Sequence, residues 1–252
     1  AACLGSSFDL PTLALALETD EASLRRDLWP AVDEDVVFLH DEEPGADLPP
    51  MYRFLHDRVQ QAAYAMLPDE EKKRIYLKAG RLLLQRLEDS ELEERIFDVA
   101  GRLNESMGLM EDRAELDRLA GIDLEAGTKA KNATAYGEAA RYFEAGLKAL
   151  GDGGWERDYR LAFGLALGLA ESLFLAGELE RAEIQYDHVL AHAGGTLDTA
   201  RVLSSKATLY TSQSRYELAV DLALEGLGML GVRLKPAPGR AAILKELAVL
   251  RW

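Results

Sequence analysis

His56 and Asp57 are the residues of this sequence best placed to do chemistry. They follow a short alternating run, Tyr52-Arg53-Phe54-Leu55, whose aromatic and apolar residues suit a pleated strand. They precede Val59, Ala62, Ala63 and Met66, which recur at helical spacing until Pro68 closes the segment. A polar pair is thus expected where a strand meets a helix N-terminus, and there the free backbone N–H groups and the helix dipole favour an anion. The chemistry this suggests is the sensing of a phosphate. The plainer alternative is an aspartate that caps the helix beside a histidine held by local hydrogen bonds. Arg58 is a second phosphate contact or, more simply, an exposed arginine on the helix surface.

Other constellations carry less. His188 and His192 lie four residues apart, a spacing that chelates metal on one helix face. Val189 stands where an HExxH motif has glutamate, and no cysteine or third histidine is near in sequence, so no metal site is assigned. Gly127-Thr128-Lys129 imitates part of a phosphate loop, but the order is wrong and the preceding glycine, Gly121, is misplaced. The acidic runs Asp33-Glu34-Asp35 and Asp41-Glu42-Glu43 read as solvated faces rather than acid/base pairs. Cys3 has no identifiable base, and the signatures of serine hydrolases and kinases are absent. No catalytic residue is assigned, and the chain is not expected to be an enzyme.

The totals narrow the partners. A formal net charge of −15 and a pI near 4.8 argue against non-specific affinity for nucleic acid or an anionic membrane. A single cysteine rules out an intramolecular disulfide, which fits a reducing compartment. No signal peptide is apparent. The most apolar run, residues 161–176, is broken by Glu171 and Ser172 and falls short of the roughly 20 residues of a spanning helix. A cytoplasmic location is the expectation. The apolar start and the final Leu250-Arg251-Trp252, inside a helical pattern, look like the edges of a piece of a longer protein.

The elements that must position His56 and Asp57 read as helix, helix, strand, loop, strand, helix. Leu13, Leu15 and Leu17 mark the first helix, and Leu24, Leu28 and Val32 the second. Val36 to Leu39 is expected to pair with Tyr52 to Leu55 across the loop HDEEPGADLPP. Two helices and a two-stranded ribbon suggest a winged-helix module. Its Arg25 and Arg26 are outweighed by Glu21, Asp27, Asp33, Glu34 and Asp35, and its wing has no Lys or Arg, which argues against DNA binding. From Asp69 onward the pattern is helical, with Ile75, Ala79, Leu82, Leu83 and Leu87 as a buried stripe and a further helix around Leu92 to Met107.

An internal repeat follows. Ala139, Ala182 and Ala219 stand near the start of the second helix of three expected hairpins, spaced 43 and 37 residues apart. Twelve residues before each lies another small residue, Gly127, Ala170 and Ala207; four after come Phe143, Tyr186 and Ala223. Small residues let paired helices approach closely, and the larger one wedges between neighbouring hairpins. The pattern resembles the tetratricopeptide repeat, stretched beyond its period of about 34 residues by longer loops such as Gly151-Asp152-Gly153-Gly154.

Two strings extend the resemblance. FLHDRVQQAAYAMLPDEEKKRIYLKAGRLLL (residues 54–84) and AGTKAKNATAYGEAARYFEAGLKAL (residues 126–150) closely resemble segments of very large bacterial signalling proteins. Those proteins join a serine/threonine-kinase-like domain, a P-loop ATPase of the STAND class, helical repeats, a GAF sensor and often a histidine kinase. The resemblance runs from about Ala2 to Pro238. It implies a winged-helix-like subdomain over residues 1–68, a connecting helical pair over 69–110 and tetratricopeptide-like repeats over 111–235. Residues 236–252 would begin a further helix, cut short. It also implies that His56 and Asp57 contact the β-phosphate of ADP bound to an upstream nucleotide-binding domain, although Leu55 replaces the methionine of the usual Met-His-Asp triplet. ATP and ADP would belong to the parent protein and no cofactor to this segment, since no G-x-x-x-x-G-K-[ST] occurs. The fold class expected is therefore mainly α: a winged-helix-like subdomain with a small ribbon, then an α-solenoid of helical hairpins. The function implied is a non-catalytic regulatory and interaction segment of a sensor-kinase-type signalling ATPase, with a protein partner on the repeat surface. A free-standing repeat adaptor, part of an ATPase-linked transcriptional regulator, and a metal-dependent enzyme using His188 and His192 are the alternatives.

Overall fold

The computed structural model describes residues 1–5, 7–40 and 51–234. The expected further helix over residues 236–252, the wing loop and Asp41-Glu42-Glu43 lie outside them. Among the described residues the fold is mainly helical, with one small antiparallel sheet near the start and helical hairpins after it. The chain divides into two compact units, Ala1–Ile122 and Asp123–Trp252.

In the first unit β1 (Ser7–Asp9) leads into α1 (Leu10–Leu17) and α2 (Glu21–Asp33), followed by β2 (Val37–His40), β3 (Met51–Phe54) and α3 (Asp57–Ala65). The strand order is β1-β3-β2, with Phe8 opposite Tyr52 and Val37 opposite Phe54. The alternation of β3 sends Tyr52 and Phe54 inward and leaves Arg53 exposed. Phe8 lies between them, its ring 5.8 Å from Tyr52 and 5.9 Å from Phe54. Leu10, Leu13 and Ala14 of α1 and Leu24 of α2 complete that core. Each of the two helices begins on an aspartate: Asp9 accepts a hydrogen bond from the Thr12 N–H at 2.7 Å, and Asp20 from that of Ser23 at 2.9 Å.

Two details correct the expected ribbon. The sheet has three strands rather than two, because β1 pairs with β3 from the far side of α1 and α2; three residues are too few to show an alternation of their own. The inward stripe of α1 runs through Leu10, Leu13 and Ala14, while Leu17 is 44% exposed. A helix buries positions three and four apart, not every second one.

The unit continues with α4 (Asp69–Arg86), α5 (Asp89–Ser106) and the start of α6 (Arg113–Asn132). Asp69, Glu70 and Glu71 stand in the first turn of α4, and Ile75, Ala79 and Leu83 are buried as the periodicity requires. Glu88 and Glu91 close a capping box at the start of α5.

The second unit holds the rest of α6, then α7 (Tyr136–Leu150), the short α8 (Gly154–Arg157), α9 (Tyr159–Leu175), α10 (Leu179–His192), α11 (Thr196–Ser212) and α12 (Tyr216–Met229). Helices α6/α7, α9/α10 and α11/α12 form three hairpins, each closed by the same turn. Thr134, Gly177 and Ser214 all have left-handed backbones, and each is followed by a residue whose N–H reaches five back: Ala135 to Ala130, Glu178 to Leu173, Arg215 to Tyr210, all at 2.9 Å. The repeated small residues lie where helices meet. Ala139, Ala170 and Ala182 are fully buried, and a Cβ on Gly127 would come within 2.7 Å of the Phe143 ring. Phe143 and Tyr186 are each 1% exposed; at the third hairpin Ala223 is exposed instead.

Candidate functional site

The strand-to-helix junction around residue 56 follows from its neighbours. Tyr52 and Phe54 anchor β3 in the core, and the Leu55 N–H donates to the Val36 carbonyl at 3.1 Å, so the strand stays straight up to that point. His56 has an extended backbone (φ −139°, ψ 138°) and is itself the N-cap: its carbonyl accepts from the N–H groups of Val59 at 2.9 Å and Gln60 at 3.3 Å. Asp57 is the first helical residue rather than the cap. The His56 side chain makes no capping hydrogen bond, and His56, Asp57 and Arg58 are all exposed. The three side chains therefore sit together on the rim of a helix N-terminus, with the Asp57 carboxylate already beside the dipole. A phosphate approaching there meets the Asp57 carboxylate together with the His56 imidazole and the Arg58 guanidinium.

The helix they begin is lightly covered. No residue of α3 is fully buried; Val59, Gln60, Ala63 and Tyr64 are half-buried, and the Gln60 side chain donates to the Ala2 carbonyl at 3.2 Å. At its other end Lys72 lies 4.5 Å over the Tyr64 ring.

The second unit carries polar clasps between successive hairpins. Lys131 on α6 pairs with Glu171 on α9 at 2.6 Å, and Ser205 on α11 reaches the other oxygen of Glu171 at 3.5 Å. Glu183 on α10 accepts from the Tyr210 hydroxyl and from the Arg215 guanidinium, both at 2.7 Å, while Arg215 stacks 4.0 Å over the Tyr210 ring. Burial alone would push the Glu183 carboxyl up, but those two donors outweigh it and hold it below the usual carboxylate range. Lys206, 6% exposed, is paired with Asp187. Nothing in the repeat pattern announced these partners, which lie 19 to 40 residues apart in sequence.

His188 and His192 are brought together, their rings 4.6 Å apart, and Trp155 stacks on His192 at 4.7 Å. The His192 Nδ1 is 2.9 Å from the His188 carbonyl. Burial and the neighbouring His192 charge hold His188 below the usual histidine range. Among the described residues no group of three or more His, Cys, Asp or Glu side chains could hold a metal ion. Gly127, Thr128 and Lys129 lie inside α6, where Thr128 donates to the Leu124 carbonyl at 2.7 Å; a helical backbone cannot cradle a phosphate. Cys3 is buried, and burial pushes its thiol up, away from nucleophilic use. Among the described residues no helix is long and apolar enough to cross a membrane.

The chain is similar to a segment of a signal-transduction histidine kinase. Hybrid signal transduction histidine kinase G of Dictyostelium discoideum is 23% identical over 288 residues, an alignment that takes in 93% of this chain. The same alignment spans 8% of the relative's length, so the chain corresponds to a small part of that protein. No family model matches the chain, and no solved structure matches it.

Proposed function

We propose that this chain is a non-catalytic regulatory segment of a multidomain signal-transduction protein, coupling the nucleotide state of an adjoining ATPase to the docking of a partner or a neighbouring domain. One observation carries the reading: nearly the whole chain is similar to a small fraction of a hybrid histidine kinase. A helical segment of that size suits a connector between the domains of such a protein.

In this reading the first unit is winged-helix-like, with α1 and α2 ahead of the β2/β3 ribbon, and the hairpins of the second unit are degenerate tetratricopeptide-like repeats presenting a surface to protein. The upstream partner is a STAND-type nucleotide-binding domain of the same chain, and His56 and Asp57 are its phosphate-sensing pair, with His56 reading the ADP phosphates. The exposed junction and the thin cover on α3 support this, since a docked domain would supply the missing contacts. The acidic surface of α2 and its flank makes nucleic acid a poor partner there.

The test is calorimetric titration of ADP into a protein that extends upstream through the nucleotide-binding domain. His56→Ala is expected to weaken ADP by tenfold or more, about 1.4 kcal/mol. Unchanged affinity would remove nucleotide sensing from the proposal and leave a repeat adaptor.

A further inference from the structure

Trp155 joins α8 to α10 through two imidazoles. Its indole stacks on His192, with ring centres 4.7 Å apart and planes 15° from parallel, and it meets His188 edge-on at 6.1 Å. The two imidazoles are themselves 4.6 Å apart. All three rings line a hollow of about 610 Å³, together with Lys148, Asp152 and Gln185. The rest of α8 holds on to its own neighbourhood. The helix is a single turn that follows Gly151 and Gly153, with φ of 59° and 76°, and its Arg157 side chain turns back to the Asp152 carbonyl at 3.0 Å. One turn of helix is not stable by itself, so the Trp155 contact matters to its order.

Charge on the imidazoles works against this arrangement. Two imidazolium rings at 4.6 Å repel, and the more buried one also loses hydration. His192 is tied, its Nδ1 2.9 Å from the His188 carbonyl. A carbonyl only accepts, so Nδ1 carries the hydrogen in the neutral ring and in the cation alike, and protonation leaves that bond in place. The His188 ring has no hydrogen bond of its own among the described residues, so it is the ring able to turn out to water. Burial, and then the His192 charge, hold His188 below the usual histidine value of about 6.5. Other charges stand around the cluster. Lys148 comes from α7, Asp152 from the loop, Glu156 and Arg157 from α8, and Tyr159 from α9, its hydroxyl bonded to Asp198 of α11 at 2.7 Å. On α10 itself Asp187 is already paired with Lys206. None of them reverses the effect of burial and of His192. A histidine lowered in the folded state adds stability that is complete above its unfolded value and is lost as pH falls toward the folded one. Acid therefore weakens the cluster.

We propose that the His188/His192 pair is a pH-dependent latch for α8: neutral or singly protonated it clasps Trp155, and doubly protonated it turns His188 out to solvent and releases residues 152–158 from α10. This inference does not rest on the nucleotide reading above.

The test is amide hydrogen exchange of the 252-residue chain at about pH 7.5 and about pH 5, each rate taken relative to that of an unstructured chain at the same pH. The reporters are the N–H groups of Arg157 and Asp158, which donate to the Gly153 and Gly154 carbonyls at 3.1 and 2.9 Å. Their protection should fall at least about tenfold on acidification while that of α11 does not. His188→Gln, which cannot take the second charge, should show the same protection at both pH values. In the native chain the His188 ring, followed by NMR, should titrate over the range in which the exchange changes, a reading that stands even if the variant folds poorly. Unchanged protection in the native chain, a fall shared by α11, or an equal fall in His188→Gln overturns the latch. So does a His188 titration displaced from the exchange change by more than about one pH unit.

Discussion

Thr134 and Gly177 occupy the same backbone corner of successive hairpins, with φ of 61° and 85°. Each N–H reaches back three residues, Thr134 to Lys131 and Gly177 to Phe174, both at 3.0 Å. Glycine adopts that conformation without steric cost, whereas a β-branched side chain crowds its own backbone there. Thr134 is exposed, so its side chain returns little in packing. Thr134→Gly is therefore expected to stabilise the protein by about 0.5–1 kcal/mol, the left-handed strain relieved less the entropy glycine adds to the unfolded chain. Urea denaturation of the two forms measures it. Gly177→Thr should lose stability by a similar or larger amount.

Phe143 binds its hairpin to the next through two glycines. Its ring would lie 2.7 Å from a Cβ on either Gly127 or Gly168. Gly168→Ala is expected to cost about 1–3 kcal/mol, since the ring, 1% exposed, would have to shift to admit the methyl group. Phe143→Ala should cost about 3–5 kcal/mol through lost burial and the cavity left behind. The two changes share one contact, so the double variant should be less destabilised than the sum of the single ones. Additive losses would mean that the ring and the glycine do not bear on each other.

Much of this was legible in the sequence, and the rest was not for definite reasons. The hairpins show because their small residues recur at fixed offsets; Ala139 and Ala182 are fully buried as the repeat requires. The β2/β3 pairing shows because an alternation precedes a helical period. Strand β1 does not, since Ser7, Phe8 and Asp9 acquire meaning only from Tyr52 and Phe54, more than forty residues on. The clasps Lys131–Glu171 and Glu183–Arg215 are equally hidden, because polar residues on helix surfaces look alike until their neighbours are known. At the junction, residue types suggested that Asp57 could cap the helix; the backbone gives that place to His56.

Arg81 and Glu115 form a two-pronged ion pair, with Nε at 2.7 Å and one terminal nitrogen at 2.8 Å from the two carboxylate oxygens. The Arg81 guanidinium holds the Glu115 carboxyl below its ordinary value of 4.5, against a smaller upward push from burial. A carboxyl lowered in the folded state contributes stability above its unfolded pKa, and loses it as pH falls through the folded one. Arg81→Met should return Glu115 to the ordinary range in a carboxyl NMR titration. It should also flatten the fall in stability below pH 4.5. Because Arg81 is 46% exposed, the change in stability at neutral pH is expected to be small. An unmoved Glu115 titration would show that the pair does not persist in solution.

At His56 the stability of the fold and the proposed nucleotide contact can be tested separately. Its side chain is exposed and makes no capping bond, while its backbone alone starts α3 through the carbonyl that accepts from Val59 and Gln60. Alanine keeps that carbonyl, so His56→Ala should change stability by less than about 0.5 kcal/mol. Phe54, two residues earlier, is 8% exposed and holds the strand in the core; Phe54→Ala should cost about 3–5 kcal/mol. The contrast matters for any loss of nucleotide affinity in a longer protein. A loss in His56→Ala with an unchanged denaturation midpoint would come from the imidazole itself, whereas a loss that tracks unfolding would come from the scaffold. A large destabilisation in His56→Ala would instead make the histidine a structural part of the junction, and its solvent-facing placement would then need a contact supplied by another domain.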